Sequence, residues 1–337
     1  MRAQRSRTVG ERRGPPGCDN QWPLANRDSF EHGISTWLLA FGLLVSGCEI
    51  IAPLAAVNQD AASPAAGCSS LPASKVLTDS TGAMWVTARV QIANSPECVY
   101  MDETEVPVAA YAAWASANPG FAKWHSWCAG WKAPGPSNPS SDPADTCATK
   151  IPASQVDPFA SLKPIRCVDW CDAEAFCRAA RSGRLCYVAV AGGSEQPENK
   201  NDEWPSACSN ADTTVWPWGN SADGGVCNVG QPPQGCGTAG FSCGPAQVQM
   251  FSGCVDNAGV FDLIGNVAEW LGVCNAQDIS NASSPCNTGG GSYATDLVAC
   301  HDPTGGQSVA KSSRLPDVGF RCCYDLSPVE RQDAGLK

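Results

Sequence analysis

The residues best equipped for chemistry in this sequence are its twenty cysteines. A thiolate can act as a nucleophile, ligate a soft metal, or be consumed in a disulfide. Zinc modules show CxxC pairs with histidines close by, and the sequence has neither. The one closely spaced group, Cys167, Cys171, Cys177 and Cys186, fits no common zinc or iron–sulfur pattern. Only three histidines occur, His32, His125 and His301, so a histidine-based metal centre is not expected. Disulfides formed in an oxidising compartment explain the cysteines best. Cys300 lies beside His301, and a Cys/His pair can activate a thiolate. In a chain so rich in cysteine, half of a disulfide is the simpler reading of Cys300. No glycine-rich phosphate loop, Ser-His-Asp set or paired catalytic carboxylates can be picked out. The acidic run at Asp102–Glu105 reads as the solvated end of a strand.

Those cysteines must be positioned by a chain of 337 residues whose composition predicts little regular structure: it has 33 glycines and 26 prolines. An apolar share of 43% still suffices for a packed core. The formal net charge of −11 argues against nucleic acid as a partner, because phosphate binding needs clustered lysine and arginine. Residues 34–47 form an apolar run of about 14 residues, too short to span a bilayer and right for a signal-peptide core. Its ending, Leu44-Val45-Ser46-Gly47-Cys48, resembles a bacterial lipobox, with Cys48 as the lipidated first residue of the mature protein. An ordinary signal peptide or a membrane anchor is the alternative. The expected plan is a signal segment over 1–47, a flexible tether over 48–75 that Cys68 pins near its end, one folded domain over 76–326 and a tail over 327–337. The compartment is then extracytoplasmic, on a bacterial membrane through the lipid.

Within the domain, Met84–Ile92 and Val99–Thr104 read as a strand pair. A helix starts near Pro107 and carries Val108, Tyr111, Trp114 and Ala115 at helical spacing. A second runs from about Asp169 to Arg181, capped by Asp169 or Asp172 and ended by Gly183. Leu185–Val190 reads as a buried strand and Val318–Tyr324 as a short final one. Between 192 and 300 long structured loops are expected, held by disulfides.

Six segments in order resemble the sulfatase-modifying-factor family, which includes the formylglycine-generating enzyme. They are Tyr100–Val106; Val168-Asp169-Trp170-Cys171 through Cys177 with Gly183-Arg184-Leu185; Trp216-Pro217-Trp218-Gly219-Asn220; Gly259–Trp270; Gly290-Gly291-Ser292-Tyr293; and Gly319-Phe320-Arg321-Cys322. The resemblance implies an α+β fold of the C-type lectin-like kind: a small sheet, two helices and extensive loops. It also implies calcium, with ligands from Asp262, the carbonyls of Gly265 and Val267, and Glu269. A weaker second site would use Asn228 and Val229, its acidic partner not being evident near Thr238–Phe241. Hard carboxylate and carbonyl oxygens suit that ion. A disulfide between Cys177 and Cys322 is implied as well.

Catalysis in the family uses copper(I) held by two cysteines, two and seven residues after the tyrosine of the GGSY segment. Here those positions are Thr295 and Cys300. A threonine hydroxyl is hard and neutral and does not replace a thiolate on copper(I). Ser292, matching a polar group near the oxygen pocket, is kept; the family's tryptophan in the Glu-Trp segment is replaced by Ala268. Copper is therefore not expected, and Cys300 and Ser292 are catalytic candidates only if activity survives. The leading expectation is a lipoprotein whose domain binds a protein, peptide or glycan. The alternative is an oxidase converting a sulfatase cysteine to formylglycine.

Overall fold

The computed structural model describes residues 67–79, 82–117, 128, 147, 162–188, 202–230, 244–274, 281–301 and 307–336. The expected signal segment, Cys48 and most of the tether lie outside them, as do His32, His125 and Thr238–Phe241.

Two sheets organise the chain. The first has the order β1-β2-β3-β9-β4, from Ser74–Thr78, Met84–Gln91, Cys98–Asp102, Cys322–Tyr324 and Arg184–Leu185. Asp79 and Gly82 make the β1–β2 turn: the Asp79 carboxylate accepts the Ala83 N–H at 3.0 Å, and Gly82 takes φ +85°. All five residues of β3 are buried because it is central and packed on both faces, Cys98 and Tyr100 in one apolar cluster and Val99 and Met101 in another. The second sheet has the order β7-β6-β5-β8, from Ser308–Ala310, Pro285–Gly289, Ala268–Cys274 and Val318–Gly319. The expected final strand is thus two: Val318 and Gly319 pair with β5, while Cys322–Tyr324 crosses to the first sheet.

Helix α1, Val108–Ser116, buries Tyr111 and Trp114, packs Ala110 and Ala115 partly against the core and leaves Ala109, Ala112 and Ala113 exposed. Helix α2, Trp170–Ala179, starts where the Asp169 carboxylate accepts the Asp172 N–H at 3.0 Å. Tyr111, Trp114, Phe176 and Phe320 meet between α1, α2 and the sheets, with ring centroids 5.3–6.4 Å apart. After α2 the left-handed residue is Ser182, φ +56°, not the expected Gly183. Gly183 is needed for closeness instead: a Cβ there would lie 2.7 Å from the Cys323 carbonyl oxygen.

Other expectations are corrected by packing. The strand expected at Leu185–Val190 is only Arg184–Leu185, and positions 189–190 lie outside the described residues. The span 192–300 holds helix α3, Glu203–Cys208, and strands β5 and β6 besides loops. The tether gives way to packed chain before residue 76: Cys68 is bonded to Cys98, Leu71 is buried and β1 begins at Ser74. The expected tail carries helix α4, Pro328–Asp333, started by a reciprocal Ser327–Glu330 capping box. Arg331 ties it to Glu97 at 2.8 Å.

Eight disulfides join described cysteines: 68–98, 128–171, 147–167, 177–322, 186–323, 208–300, 227–254 and 274–286. Cys236 and Cys243 lie outside the described residues. Cys177 on α2 and Cys322 on β9 have Cα atoms 5.5 Å apart. This density places the domain in an oxidising, extracytoplasmic compartment. Among the described residues, no helix is long and apolar enough to cross a membrane.

Candidate functional site

Charge collects where β3, β5 and β9 converge. Arg321, 1% exposed, donates from Nε to both oxygens of Glu269 at 2.9 and 2.8 Å, and from Nη2 to Oε1 at 2.6 Å. Trp204 Nε1 donates to Oε2 of the same carboxylate at 2.9 Å. Nη1 and Nη2 also donate to the carbonyls of Asp102 and Phe261, at 3.0 and 2.7 Å. Beside this pair, Glu105 accepts from Asn266 Nδ2 at 2.7 Å and from the Val267 N–H at 3.0 Å. Burial pushes Glu105 well above the usual carboxylate range, and its acidic neighbours Asp262 and Glu269 push the same way. Burial likewise pushes Asp262 up to about 6, against the backbone N–H of Gln249.

The turn of the Gly259–Trp270 segment is locked by its own side chains. Gly265 takes φ +82°, and a Cβ there would lie 2.5 Å from the Asn228 carbonyl oxygen. Asn266 Oδ1 accepts from Asn228 Nδ2 at 3.1 Å and from the Ala246 N–H at 2.8 Å. Asn228 and Val229, expected in a second calcium site, are thus the surface against which the turn closes. The main calcium set does not fit the ion as arranged. A carboxylate has about four lone-pair directions, and three N–H groups already point at those of Glu269, the Arg321 Nε–H being shared between both oxygens. Asp262 Oδ2 accepts the Gln249 N–H at 2.8 Å. Among the described residues no three Asp, Glu, His or Cys side chains converge as metal ligands.

The positions matching the family's copper site lie around the Gly290–Tyr293 segment. Cys300 is bonded to Cys208, with Cα atoms 5.4 Å apart, and is 6% exposed. Thr295 Oγ1 accepts the Ser292 N–H at 2.7 Å and donates to the Ser292 carbonyl at 3.0 Å. Ser292 is fully buried and donates to Asp317 Oδ2 at 3.0 Å. This donor set does not fit copper(I): Cys300 has no thiolate to offer and Thr295 closes a turn. His301 contacts exposed Asp212 at 3.0 Å and does not serve Cys300 as a base. Trp216 and Trp218 stack at 6.2 Å beside this segment, with Trp216 Nε1 donating to the Val298 carbonyl at 2.9 Å.

A separate cavity of about 410 Å³ opens between β2, α1 and the end of β3. Arg181 and Trp85 belong to its wall, with the Arg181 guanidinium 4.5 Å from the Trp85 ring centroid. Arg181 is paired with Asp102, which also accepts from Tyr324 Oη at 2.7 Å and from the Cys322 N–H at 3.0 Å. Desolvation raises Asp102 and the arginine opposes it. Sequence reading singled out neither Trp85 nor Arg181. Asp102, taken for strand-end solvation, is buried instead.

One antiparallel and one mixed sheet, buried α2 and long disulfide-pinned loops define a C-type lectin-like α+β fold. The chain belongs to the family of the sulfatase-modifying factor enzyme 1-like domain, whose sequence model matches residues 58–326. Solved structures similar to it include Treponema denticola variable protein 1, at 15% identity, covering 76% of this chain and 100% of that one, TM-score 0.45. PvdO from Pseudomonas aeruginosa is similar at 16% identity, covering 79% of this chain and 100% of that one, TM-score 0.43. CarF is similar at 17% identity, covering 68% and 87%, TM-score 0.41. No curated protein sequence matches the chain.

Proposed function

We propose that this chain is an extracytoplasmic lipoprotein whose sulfatase-modifying-factor domain works as a binding module for a protein, peptide or glycan and does not carry out copper-dependent oxidation. The observation that carries this reading is the Cys208–Cys300 disulfide. It occupies the one thiol kept at the family's copper position, and the other position is Thr295. A copper(I) centre needs two soft ligands, and this loop offers none. The lipobox ending at Cys48 supports lipid anchoring.

The purified, oxidised protein is to be incubated with copper and a peptide carrying a sulfatase-type cysteine motif, and the peptide followed by mass spectrometry. No conversion of cysteine to aldehyde is expected, and thiol counting should find Cys300 blocked. Turnover by the native sequence that disappears in Cys300→Ser would promote the formylglycine-generating reading. Labelling cells with a fatty-acid probe tests the anchor: label should be lost in Cys48→Ser.

A further inference from the structure

Strand β1 is a free edge of the first sheet. Its register on β2 decides which of its backbone groups are used. The Arg89 N–H donates to the Ala73 carbonyl at 2.8 Å, and the Asp79 N–H to the Ala83 carbonyl at 2.9 Å. The pairing runs without a break from Ser74 opposite Ala88 to Thr78 opposite Met84. In that phase the N–H and C=O of Lys75 and Leu77 turn towards β2, and those of Ser74, Val76 and Thr78 point off the sheet. Among the described residues, none of these outward groups has a partner. Such an edge is a template for another strand, and natural edges are blunted by outward lysine, proline or a bulge. This one has none of them. Lys75 is the only charged residue of the strand, and it is ion-paired with Glu330 and held 3.7 Å from the Tyr100 ring centroid, on the face opposite Val76.

The exposed face is apolar. Val76, 65% exposed, stands opposite Val86, 39% exposed, and Met84 beside them is 75% exposed. Further in, the same face continues into buried Ala88, Val90 and Met101, so the apolar surface of the core runs out to the edge uncovered.

A second copy of β1 fits this edge. Ser74, Val76 and Thr78 are symmetric about Val76. Two such strands related by a two-fold axis through Val76 pair antiparallel, with Val76 opposite its own copy and Ser74 opposite Thr78. Every outward N–H and C=O of both strands then has a partner. An axis normal to the sheet keeps like faces together, so Val86, Val76 and their copies join in one apolar stripe with Ser–Thr pairs at its sides. No like charges meet, because Lys75 lies opposite Leu77 of the other copy. The proposed lipid at Cys48 favours the same occupant: it lies about 26 residues before β1, a reach of at most about 90 Å. Anchored copies are thereby confined to one thin layer, which raises their local concentration. That last support rests on the anchoring reading, which fatty-acid labelling tests by itself.

We propose that β1 is a homodimer interface, through which two copies of this chain join their Ser74–Thr78 edges, antiparallel and centred on Val76, into one continuous sheet.

The test uses the purified, oxidised chain carrying Cys48→Ser, which keeps lipid out of the sample. Sedimentation velocity should show a concentration-dependent monomer–dimer equilibrium. Val76→Lys sets two ammonium groups against each other at the axis and should weaken dimerisation at least about tenfold. Its far-UV spectrum and its melting at low concentration should stay native, because the side chain is mostly exposed. Disulfide capture under mild oxidation reads the register. Val76→Cys should cross-link, since hydrogen-bonded residues opposite one another have Cα atoms about 5.5 Å apart. Thr78→Cys alone should not, since its own copy lies four residues along the ladder, about 13 Å away. Mixing Thr78→Cys with Ser74→Cys should restore the cross-link. The proposal is overturned if the chain stays monomeric, if Val76→Lys dimerises as the native chain does, or if Thr78→Cys alone cross-links as readily as Val76→Cys. A monomer whose Val76 amide resists hydrogen exchange would show the edge held by another segment of the same chain, and one that exchanges freely would leave it to a different protein; both overturn the second copy. A monomer leaves the binding-module reading standing, and aldehyde production leaves the dimer standing, so the two fail independently.

Discussion

Two disulfides, 177–322 and 186–323, join almost the same two stretches of chain, so their contributions to stability should not add. Each alone spans a separation of 145 or 137 residues. With the Cys208–Cys300 bond in place, the path round that loop is shortened to about 50 residues. Removing one of the pair while the other stays opens a ring of only about 10 residues, because Cys177 and Cys186 are near in sequence and Cys322 and Cys323 are adjacent. By chain entropy a ring of about 10 residues corresponds to about 2.7 kcal/mol, and one of about 50 to about 4 kcal/mol. Each Cys→Ala pair made singly should therefore destabilise by about 3 kcal/mol, and the two together by about 7 kcal/mol. The excess over additivity is about 1.5 kcal/mol, and packing losses at the four buried cysteines largely cancel from the double-mutant cycle. Urea unfolding without reductant, read by near-UV circular dichroism, supplies the four free energies. A single removal costing as much as the long loop demands, or a double variant that is additive within about 0.5 kcal/mol, would refute the reasoning.

Glu269→Gln should destabilise by about 3–5 kcal/mol, since it leaves the Arg321 guanidinium buried without its counter-charge; urea unfolding checks this. The native domain should melt at the same temperature in calcium and in chelator, because Arg321 and Trp204 take up the Glu269 oxygens; a calcium-dependent rise in melting temperature would count against that arrangement. Burial pushes Asp256 up to about 7 from 3.8, so the folded chain keeps a proton there that the unfolded chain has released. Native stability should therefore fall between about pH 4 and pH 7, by up to about 4 kcal/mol from this group. Asp256→Asn removes that slope: the variant should match the native protein near pH 4 and exceed it above pH 7, in denaturant melts across pH. Thr295→Cys alone should gain no tight copper(I) binding over the native protein, whereas Thr295→Cys with Cys208→Ala, which frees Cys300, should gain it; competition with a chromogenic copper(I) chelator measures both.

What the sequence made legible was whatever depends on order along the chain. Helix α2 could be read from Asp169 and the spacing of Ala173, Phe176 and Ala180, because a cap and a periodic face are local. The family segments could be read because their glycines answer local demands, as Gly265 does by its φ of +82°. Strand β5 escaped because all seven of its residues are buried and leave no alternation to detect. The single strand read at 318–324 became two because the chain changes sheets at Phe320 and Arg321, a tertiary choice invisible in a run of seven residues. Arg181 gave no signal at all. It reads as a basic residue after a helix, yet it is buried against Asp102 and Trp85, both distant in the chain, as well as against nearby Phe176.

The same distinction explains how the domain can hold the family's fold without the copper ligands that its resemblance implied. The residues of the Gly259–Trp270 segment serve the turn and the buried charge cluster: Gly265 against Asn228, Asn266 and Val267 against Glu105, Glu269 against Arg321. None of those contacts involves Thr295 or Cys300. Losing a thiol at 295 therefore leaves the charge cluster intact, and the threonine there closes its own turn on Ser292. Cys300 ties its loop to α3 through Cys208. The scaffold and the chemistry are held by separate sets of residues, and the second set can be exchanged while the first stays fixed.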